Sequence, residues 1–241
     1  MDATLKRRAM QLAGTAAFAR LPSITIERLA GAATESVVNA GEVIFARGSA
    51  ASGMYLIVSG QLMLSMQSPR GTEHVIEFMH EGDTFGEDAL ITRRPHQVTA
   101  TAVIACALLH IEGRAVSAAI ERDAEFATRM ISLLGDRLYR QTGELENMLF
   151  LRASGRLARF ILDRLTVGRD DIRHHVLLPV RKGLIASHLN MTQEHFSRTL
   201  HELTQAGVIT VDGVNVDVID LDRLRELASV SAKGVEVEAA E

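Results

Sequence analysis

The pattern of apolar and polar positions divides the chain into a helical, a strand-rich and a second helical region. Residues 4–20 and 24–33 have apolar positions at helical spacing, and the segment around Pro22 separates them. From Ser36 to Gly113, short apolar runs alternate with turns that contain glycine. Many short strands separated by turns predict an antiparallel sandwich or barrel, so the pattern indicates an α+β fold.

A long helix is predicted from Asp123 onward, because a heptad repeat begins there. Such a repeat is typical of a two-stranded coiled coil, and a helix packed on its own strands is the alternative. A second apolar flank favours a helix that does both. The seam positions are Ala127, Ile131, Leu134, Leu138, Gln141, Leu145 and Met148, and the second flank is Phe126, Met130, Leu133 and Leu149.

The remaining chain predicts a small second domain. Residues 151–155 are the expected hinge, in which Ser154 would cap the next helix. Asp212-Gly213 lies between two strand-like runs, which is a strong hairpin signal. The predicted elements are a helix at 156–165, a strand at 174–178, a hairpin at 207–218 and a closing helix at 221–227.

Residues 184–203 predict two short helices joined by a turn at Asn190. Thr192 is placed to cap the second helix, since its hydroxyl can accept a backbone N–H of the first turn. Four polar side chains follow at spacings that put them on the outer face of that helix. Such a face can present donors and acceptors to base edges in a major groove, and an ordinary solvated face is the alternative. The four residues are Gln193, Glu194, Ser197 and Arg198.

Composition limits the classes of function. The chain has 241 residues, enough for two modest domains, and its formal net charge of −4 requires any nucleic-acid contact to come from a local patch. Because Cys106 is the single cysteine, one chain can hold neither an internal disulfide nor a four-cysteine iron–sulfur cluster. No apolar run approaches the roughly 20 residues that span a bilayer, and no signal-peptide pattern opens the chain. We therefore expect a cytoplasmic protein that contacts no membrane. The absence of a nucleophile–base pair, metal-ligand spacing or phosphate loop argues against an enzyme.

The run Glu194-His195-Phe196-Ser197-Arg198 resembles the E-x-x-S-R signature of the Fnr-like and Dnr-like branches of the Crp–Fnr superfamily of bacterial transcription regulators. The resemblance extends over roughly residues 20–228. It implies a homodimer with a winged helix-turn-helix that reads a TTGA-type inverted repeat in double-stranded DNA, and RNA polymerase as a further partner. Arg198 is expected to contact guanine, and Glu194 the amine of a cytosine. The predicted DNA-binding residues are Arg181, Lys182, Thr192, Gln193, Glu194, His195, Ser197, Arg198 and His201.

The strand-rich region resembles the β-roll of cyclic-nucleotide-binding domains through its turn glycines, which are Gly48, Gly60, Gly71, Gly82 and Gly86. In that family a Glu after the last glycine holds the ribose, and an Arg eleven residues after the glycine holds the cyclic phosphate. Glu87 is present here, but Gln97 and Val98 stand where the phosphate-binding pair is expected. A phosphodiester favours a guanidinium partner, so binding of cyclic AMP is not expected. The predicted ligand pocket is Gly86, Glu87, Gln97, Val98, Gln141 and Thr142, the last two by resemblance.

The effector is left open by the sequence. The Dnr-like branch is associated with haem and nitric oxide, so haem with a diatomic gas is one candidate, and another small molecule or no ligand are the alternatives. Haem needs an axial His, Cys or Met. The candidate ligands of the β-roll are His74, His80, His96, His110 and Cys106. A cyclic-nucleotide-responsive regulator and a sensor that acts through a protein partner are the alternative functions.

The predicted domain layout combines these elements. Residues 1–122 form the N-terminal helices and the β-roll sensor, and residues 123–152 form the dimerisation helix and hinge. Residues 153–229 form the winged helix-turn-helix, and residues 230–241 an acidic, disordered tail.

Overall fold

The computed structural model describes residues 2–167, 174–178 and 181–229. Within them, antiparallel sheets and helices form the α+β architecture predicted from the sequence, which is thereby confirmed. The chain divides into two compact units, Met1–Tyr139 and Arg140–Glu241. The predicted tail at residues 230–241 lies outside the described residues, and the predicted domain layout stays a prediction.

Two helices open the first unit, α1 at Ala3–Ala13 and α2 at Ser23–Gly31. α1 is shorter than the predicted helix at 4–20, because the chain leaves the helix at Gly14. Glycine is among the poorest helix formers, so this end has a local physical reason. Leu12, Phe18 and Leu29 from this region are buried. The N-terminal helices therefore belong to the core of the first unit.

The β-roll consists of two four-stranded antiparallel sheets. Their orders are β1-β8-β3-β6 and β2-β7-β4-β5. Apolar side chains from both sheets, including Ile57, Leu62, Phe85 and Leu108, pack between them. The strands are β1 (Ala33–Val38), β2 (Val43–Phe45), β3 (Gly53–Ser59), β4 (Gln61–Gln67), β5 (Glu73–His80), β6 (Thr84–Phe85), β7 (Thr99–Ala102) and β8 (Cys106–Glu112).

Three helices complete this part of the chain: α3 (Glu87–Thr92), α4 (Gly113–Arg122) and the long α5 (Ala124–Phe150). Asp123 directly precedes α5, and its side chain accepts hydrogen bonds from the backbone N–H groups of Glu125 and Phe126. Phe126 and Met130 are buried against the N-terminal helices and the β-roll, as the second apolar flank predicted. Leu149 of the same predicted flank is instead exposed.

The second unit carries a winged helix-turn-helix. Its described elements are α6 (Ala153–Leu162), β9 (Thr166–Val167), β10 (His174–Leu177), α7 (Lys182–His188), α8 (Gln193–Gln205), β11 (Ile209–Asp212), β12 (Asn215–Val218) and α9 (Leu221–Ala228). The strands form one sheet of order β11-β12-β10-β9. No helix of the described ranges is long and apolar enough to cross a membrane.

Two local predictions in this unit were wrong. α6 begins at Ala153, so Ser154 lies inside the helix, and Arg152 occupies the N-cap position without a side-chain cap. The hairpin pairs Asp212 with Asn215, which leaves Gly213 and Val214 as its loop residues. Gly213 has a φ of 62°, whereas Asp212 belongs to the strand. The turn therefore has glycine in its first central position, as in a type II′ hairpin.

Candidate functional site

The helix-turn-helix is formed by α7, a tight turn and α8. Asn190 lies in the turn with a φ of 52°, a left-handed conformation that Asn tolerates better than most residues. The hydroxyl of Thr192 accepts a hydrogen bond from the backbone N–H of His195 at 3.1 Å. This contact confirms the predicted N-cap and fixes where α8 begins.

The inner faces of both helices pack into the second unit. Ile185 of α7 and Phe196 of α8 are fully buried. Arg156 of α6 donates from Nε to the backbone oxygen of Leu189 at 2.9 Å and from Nη1 to that of Leu151 at 2.9 Å. Because Leu189 ends α7, this arginine ties the turn to α6. The position of α8 is therefore set by its buried face and by the hydrogen bonds of Arg156, which hold the preceding turn.

The outer face of α8 carries the predicted base-reading side chains. Glu194, Ser197 and Arg198 are exposed, and His201 continues the same face one turn further on. His195 is half-buried. Gln193 is exposed, and its Oε1 lies 3.2 Å from where a Cβ on Gly183 would stand, so its amide packs over α7. The structure thus brings the predicted residues together on one accessible surface.

Glu194 and Arg198 do not pair with each other. Within the described helix-turn-helix, neither side chain has an ion-pair partner, although the four-residue spacing allows one. Both charged groups are therefore available to bases in this conformation. Arg181 and Lys182 are exposed at the start of α7, where they add positive charge near the same surface.

A buried ion pair lies at the predicted ligand pocket. Nη1 of Arg137 donates to Oε1 of Glu87 at 2.7 Å, and Nη2 donates to the backbone oxygen of Thr84 at 2.6 Å. Nε of Arg137 lies 3.8 Å from Oε2 of Glu77. Glu87 has no exposed surface and Arg137 is 9% exposed. Sequence analysis missed Arg137, and the one available signal was a charged residue next to the apolar seam of α5.

The other predicted pocket residues differ from Glu87 in their partners, and most of them are also more exposed. Gly86 is buried, follows β6 with a φ of 86° and occupies the N-cap position of α3. Gln97 is exposed and Val98 is half-buried. Gln141 and Thr142 are exposed on α5, and their part in a ligand site stays a prediction. Arg93 and Arg94 are also exposed, so they supply no buried cation in place of the missing arginine.

The candidate haem ligands mostly have protein partners. Nε2 of His80 lies 2.9 Å from the amide of Gln61, and Nε2 of His110 lies 3.1 Å from the hydroxyl of Ser52. The thiol of Cys106 donates to two backbone oxygens, each at 3.2 Å. The ring of His96 is buried and stacks on Phe45 with centroids 3.7 Å apart. These contacts do not fit an open axial position on a haem iron. Among the described residues, no group of three or more His, Cys, Asp or Glu could hold a metal ion.

A small cavity of the second unit contains titratable side chains. It is lined by residues that include Glu144 of α5, Arg159 of α6, Asp163 directly after α6, and His188 of α7. Burial raises the pKa of Glu144, and burial also raises the pKa of Asp163. The guanidinium of Arg164 stacks on Phe160 at 3.7 Å. The charges of Arg159 and Arg164 oppose the rise in the pKa of both acids.

The seam of α5 is largely uncovered within one chain. Ile131 is 72% exposed and Leu138 is 66% exposed, while Leu145 and Met148 are also accessible. Leu134 is half-buried and Gln141 is exposed. Large apolar side chains at heptad positions are rarely left in water, so these residues remain the predicted dimer interface.

Comparison with known proteins identifies the family. The sequence matches the cyclic nucleotide-binding domain family at residues 35–123 and the Crp-like helix-turn-helix domain family at residues 155–227. The cyclic AMP receptor protein of Thermus thermophilus is 30% identical over 191 residues, which cover 78% of this chain and 85% of that protein. The anaerobic regulatory protein of Haemophilus influenzae is 26% identical over 196 residues, which cover 80% of this chain and 76% of that protein.

Together with the fold, these matches define a DNA-binding transcription regulator, and the chain belongs to the Crp–Fnr family. The solved structure of FixK2 from Bradyrhizobium japonicum has the same fold, with a TM-score of 0.74 and 23% identity over 83% of this chain and 99% of that one. A further relative, from Mycobacterium tuberculosis and 25% identical over 192 residues, which cover 78% of this chain and 85% of that protein, is a CRP-like cAMP-activated global transcriptional regulator. Membership of the Dnr-like branch stays a prediction.

Proposed function

We propose that this regulator acts as a homodimer that reads a TTGA-type inverted repeat through α8. The observation that carries the proposal is the exposed face of Glu194, Ser197 and Arg198 on a capped helix whose inner face is buried. Arg198 can donate two hydrogen bonds to O6 and N7 of guanine, and Glu194 can accept from the N4 amine of cytosine. Gln193 and His195 flank these contacts.

Contacts to phosphate would come from other side chains around the same surface. Arg181, Lys182, Thr192 and His201 are all exposed there. With a net charge of −4, the whole chain does not attract DNA, so these local polar and charged side chains set the register on the backbone. RNA polymerase as a further partner follows from the family resemblance alone.

Control by an effector at the β-roll is the less supported part of the sequence prediction. The contacts of His80, His96, His110 and Cys106 give no support to haem with nitric oxide or another gas. The relatives include cyclic-AMP-responsive proteins, but the exposed Gln97 offers no charge for a cyclic phosphate. Our proposal therefore concerns DNA reading and dimer formation.

The test is a binding assay with the full chain and a TTGA–TCAA duplex, its single-base variants and an unrelated duplex. Arg198→Ala should weaken binding to the specific duplex by about 1–3 kcal/mol and relax discrimination at one base pair. Lys182→Ala is the matched control, since loss of a phosphate contact should weaken binding to all duplexes alike. Equal weakening on every sequence by Arg198→Ala would show that Arg198 contacts phosphate, and equal wild-type affinity for all duplexes would exclude the proposed site.

A further inference from the structure

Gln193 of the predicted DNA-reading surface lies against the backbone of the neighbouring helix. It is the first residue of α8, and its side chain is exposed. A Cβ on Gly183 of α7 would lie 3.2 Å from Oε1 of Gln193 and 3.9 Å from its Cδ. The first distance is shorter than ordinary van der Waals contact, which begins at 3.4 Å. The amide therefore occupies space that any larger residue at position 183 would need.

The stability of α7 does not explain why a glycine stands at position 183. Glycine is among the least favourable residues in a helix. The helix is short, at Lys182–His188, and Arg181 at its N-cap position makes no side-chain cap. Helix formation alone would therefore favour alanine over glycine in this first turn. The close approach of Gln193 gives a physical reason for the glycine.

The same contact determines which end of the amide faces away from α7. A glutamine amide can donate through Nε2 and accept through Oε1. Oε1 is the amide atom nearest to the Gly183 position, whereas Nε2 lies more than 4 Å away from it. With Oε1 against α7, the group left for DNA is the Nε2 donor. Fixing the amide beforehand also reduces the conformational entropy that Gln193 loses on binding a base.

We infer that Gly183 determines specificity by holding the Gln193 amide with its Nε2 donor toward the DNA, which selects thymine over cytosine in the half-site. The inference rests on the proposed function. In the major groove thymine presents the O4 acceptor, whereas cytosine presents the N4 donor. An amide that could turn over would serve either base, so its fixed orientation carries the discrimination. Gly183 itself contacts no base and is a positioning residue that acts through Gln193.

The experiment measures binding of the full chain to the TTGA–TCAA duplex and to duplexes in which each T·A pair of the half-site is changed in turn to C·G. Gln193→Ala identifies the pair that Gln193 contacts, because the preference for T·A is lost there. Gly183→Ala and Gly183→Val then displace the amide by increasing amounts. Gly143→Ala and Gly143→Val are the matched controls, since a Cβ on this glycine of α5 would stand in open space.

At the contacted pair, we expect the wild type to prefer T·A over C·G by about tenfold, as is usual for one base pair of a specific site. Gly183→Val should remove most of this preference and Gly183→Ala part of it, while both Gly143 variants keep it. In the Gln193→Ala background, Gly183→Val should have no further effect on the preference, because both residues act through one contact. The urea midpoint of Gly183→Ala should not fall, since alanine favours the helix.

Motion of the side-chain amide gives a readout that does not depend on DNA. In the DNA-free wild type, NMR relaxation should show less motion for the Gln193 amide than for that of Gln205, an exposed glutamine at the end of α8. Gly183→Val should raise the motion of the Gln193 amide to that of Gln205.

The inference is wrong if Gln193→Ala or Gly183→Val keeps the wild-type preference at every pair, or if Gly183→Val weakens binding to all duplexes alike. It is also wrong if the wild-type Gln193 amide moves as freely as that of Gln205. A wild type that binds the TTGA duplex no better than an unrelated duplex would contradict the proposed function. In that case, an ordered Gln193 amide that Gly183→Val releases would still support positioning by Gly183.

Discussion

At the scale of single residues, His96 predicts a pH dependence of stability. The ring is 4% exposed and stacks on Phe45, and burial lowers the pKa of His96 while the charge of Asp88 opposes the effect. A lowered pKa in the folded state means that this stability is present above the unfolded pKa of about 6.5 and is lost as pH falls through the folded pKa. The free energy of unfolding, measured by urea denaturation, should therefore decrease from pH 7.5 to 5.5.

His96→Phe should flatten that decrease. His74→Gln is the control, because His74 on β5 is half-buried. An unchanged slope in His96→Phe would place the titration elsewhere, with His110 the next residue to test because burial also lowers its pKa.

Residues differ in how far the sequence could predict their roles. Thr192 and the outer face of α8 were predicted correctly in position, because caps and helical spacing are local properties. Arg137 was not predicted, because its partner Glu87 lies fifty residues earlier in the chain and only the folded β-roll brings the two together. The burial of Glu87 is the fact that requires such a partner, and burial at that position is a property of the tertiary structure.

At the scale of elements, the start of α8 depends on one hydroxyl. Thr192→Ala removes the acceptor of the His195 backbone N–H and should lower the free energy of unfolding of the second unit by about 1 kcal/mol. Chemical denaturation followed by a probe in the second unit measures this loss. Thr192→Ser keeps the hydroxyl and should retain most of the stability. Equal stability of the Ala and Ser variants would show that the cap contributes nothing measurable.

The strands of the β-roll show why element positions were predictable while some ends were not. All five predicted turn glycines have positive φ, with values from 82° at Gly71 to 101° at Gly60. At Gly60 a Cβ would also stand 2.4 Å from the backbone oxygen of Ala105, so only glycine fits. The ends of α1 and α6 were wrong by several residues, since no equally strict requirement marks them. Strong steric constraints are visible in a sequence, whereas weak helix signals are decided by packing.

At the scale of the whole molecule, the two apolar faces of α5 differ in what they pack against. Phe126 and Met130 are buried within one chain, so the sequence prediction of a helix that packs on its own strands is confirmed. Most of the heptad seam, in contrast, is exposed in one chain and predicts a second copy. Sequence periodicity could identify both faces of the helix, but it could not say that Arg137 adds a buried ion pair to the first.

The seam makes the dimer testable through Leu138. Leu138→Glu places a charge at the centre of the proposed interface and removes one apolar contact from each copy, so the dimer dissociation constant should rise by at least about 100-fold. Tyr139→Glu is the matched control, because Tyr139 is 84% exposed but lies outside the heptad seam. Sedimentation equilibrium measures the dimer dissociation constant of both variants.

A monomeric Leu138→Glu should also bind an inverted repeat no better than a single half-site, since two recognition helices about 34 Å apart require two copies. A Leu138→Glu variant that remains a dimer of wild-type affinity would move the interface away from this seam.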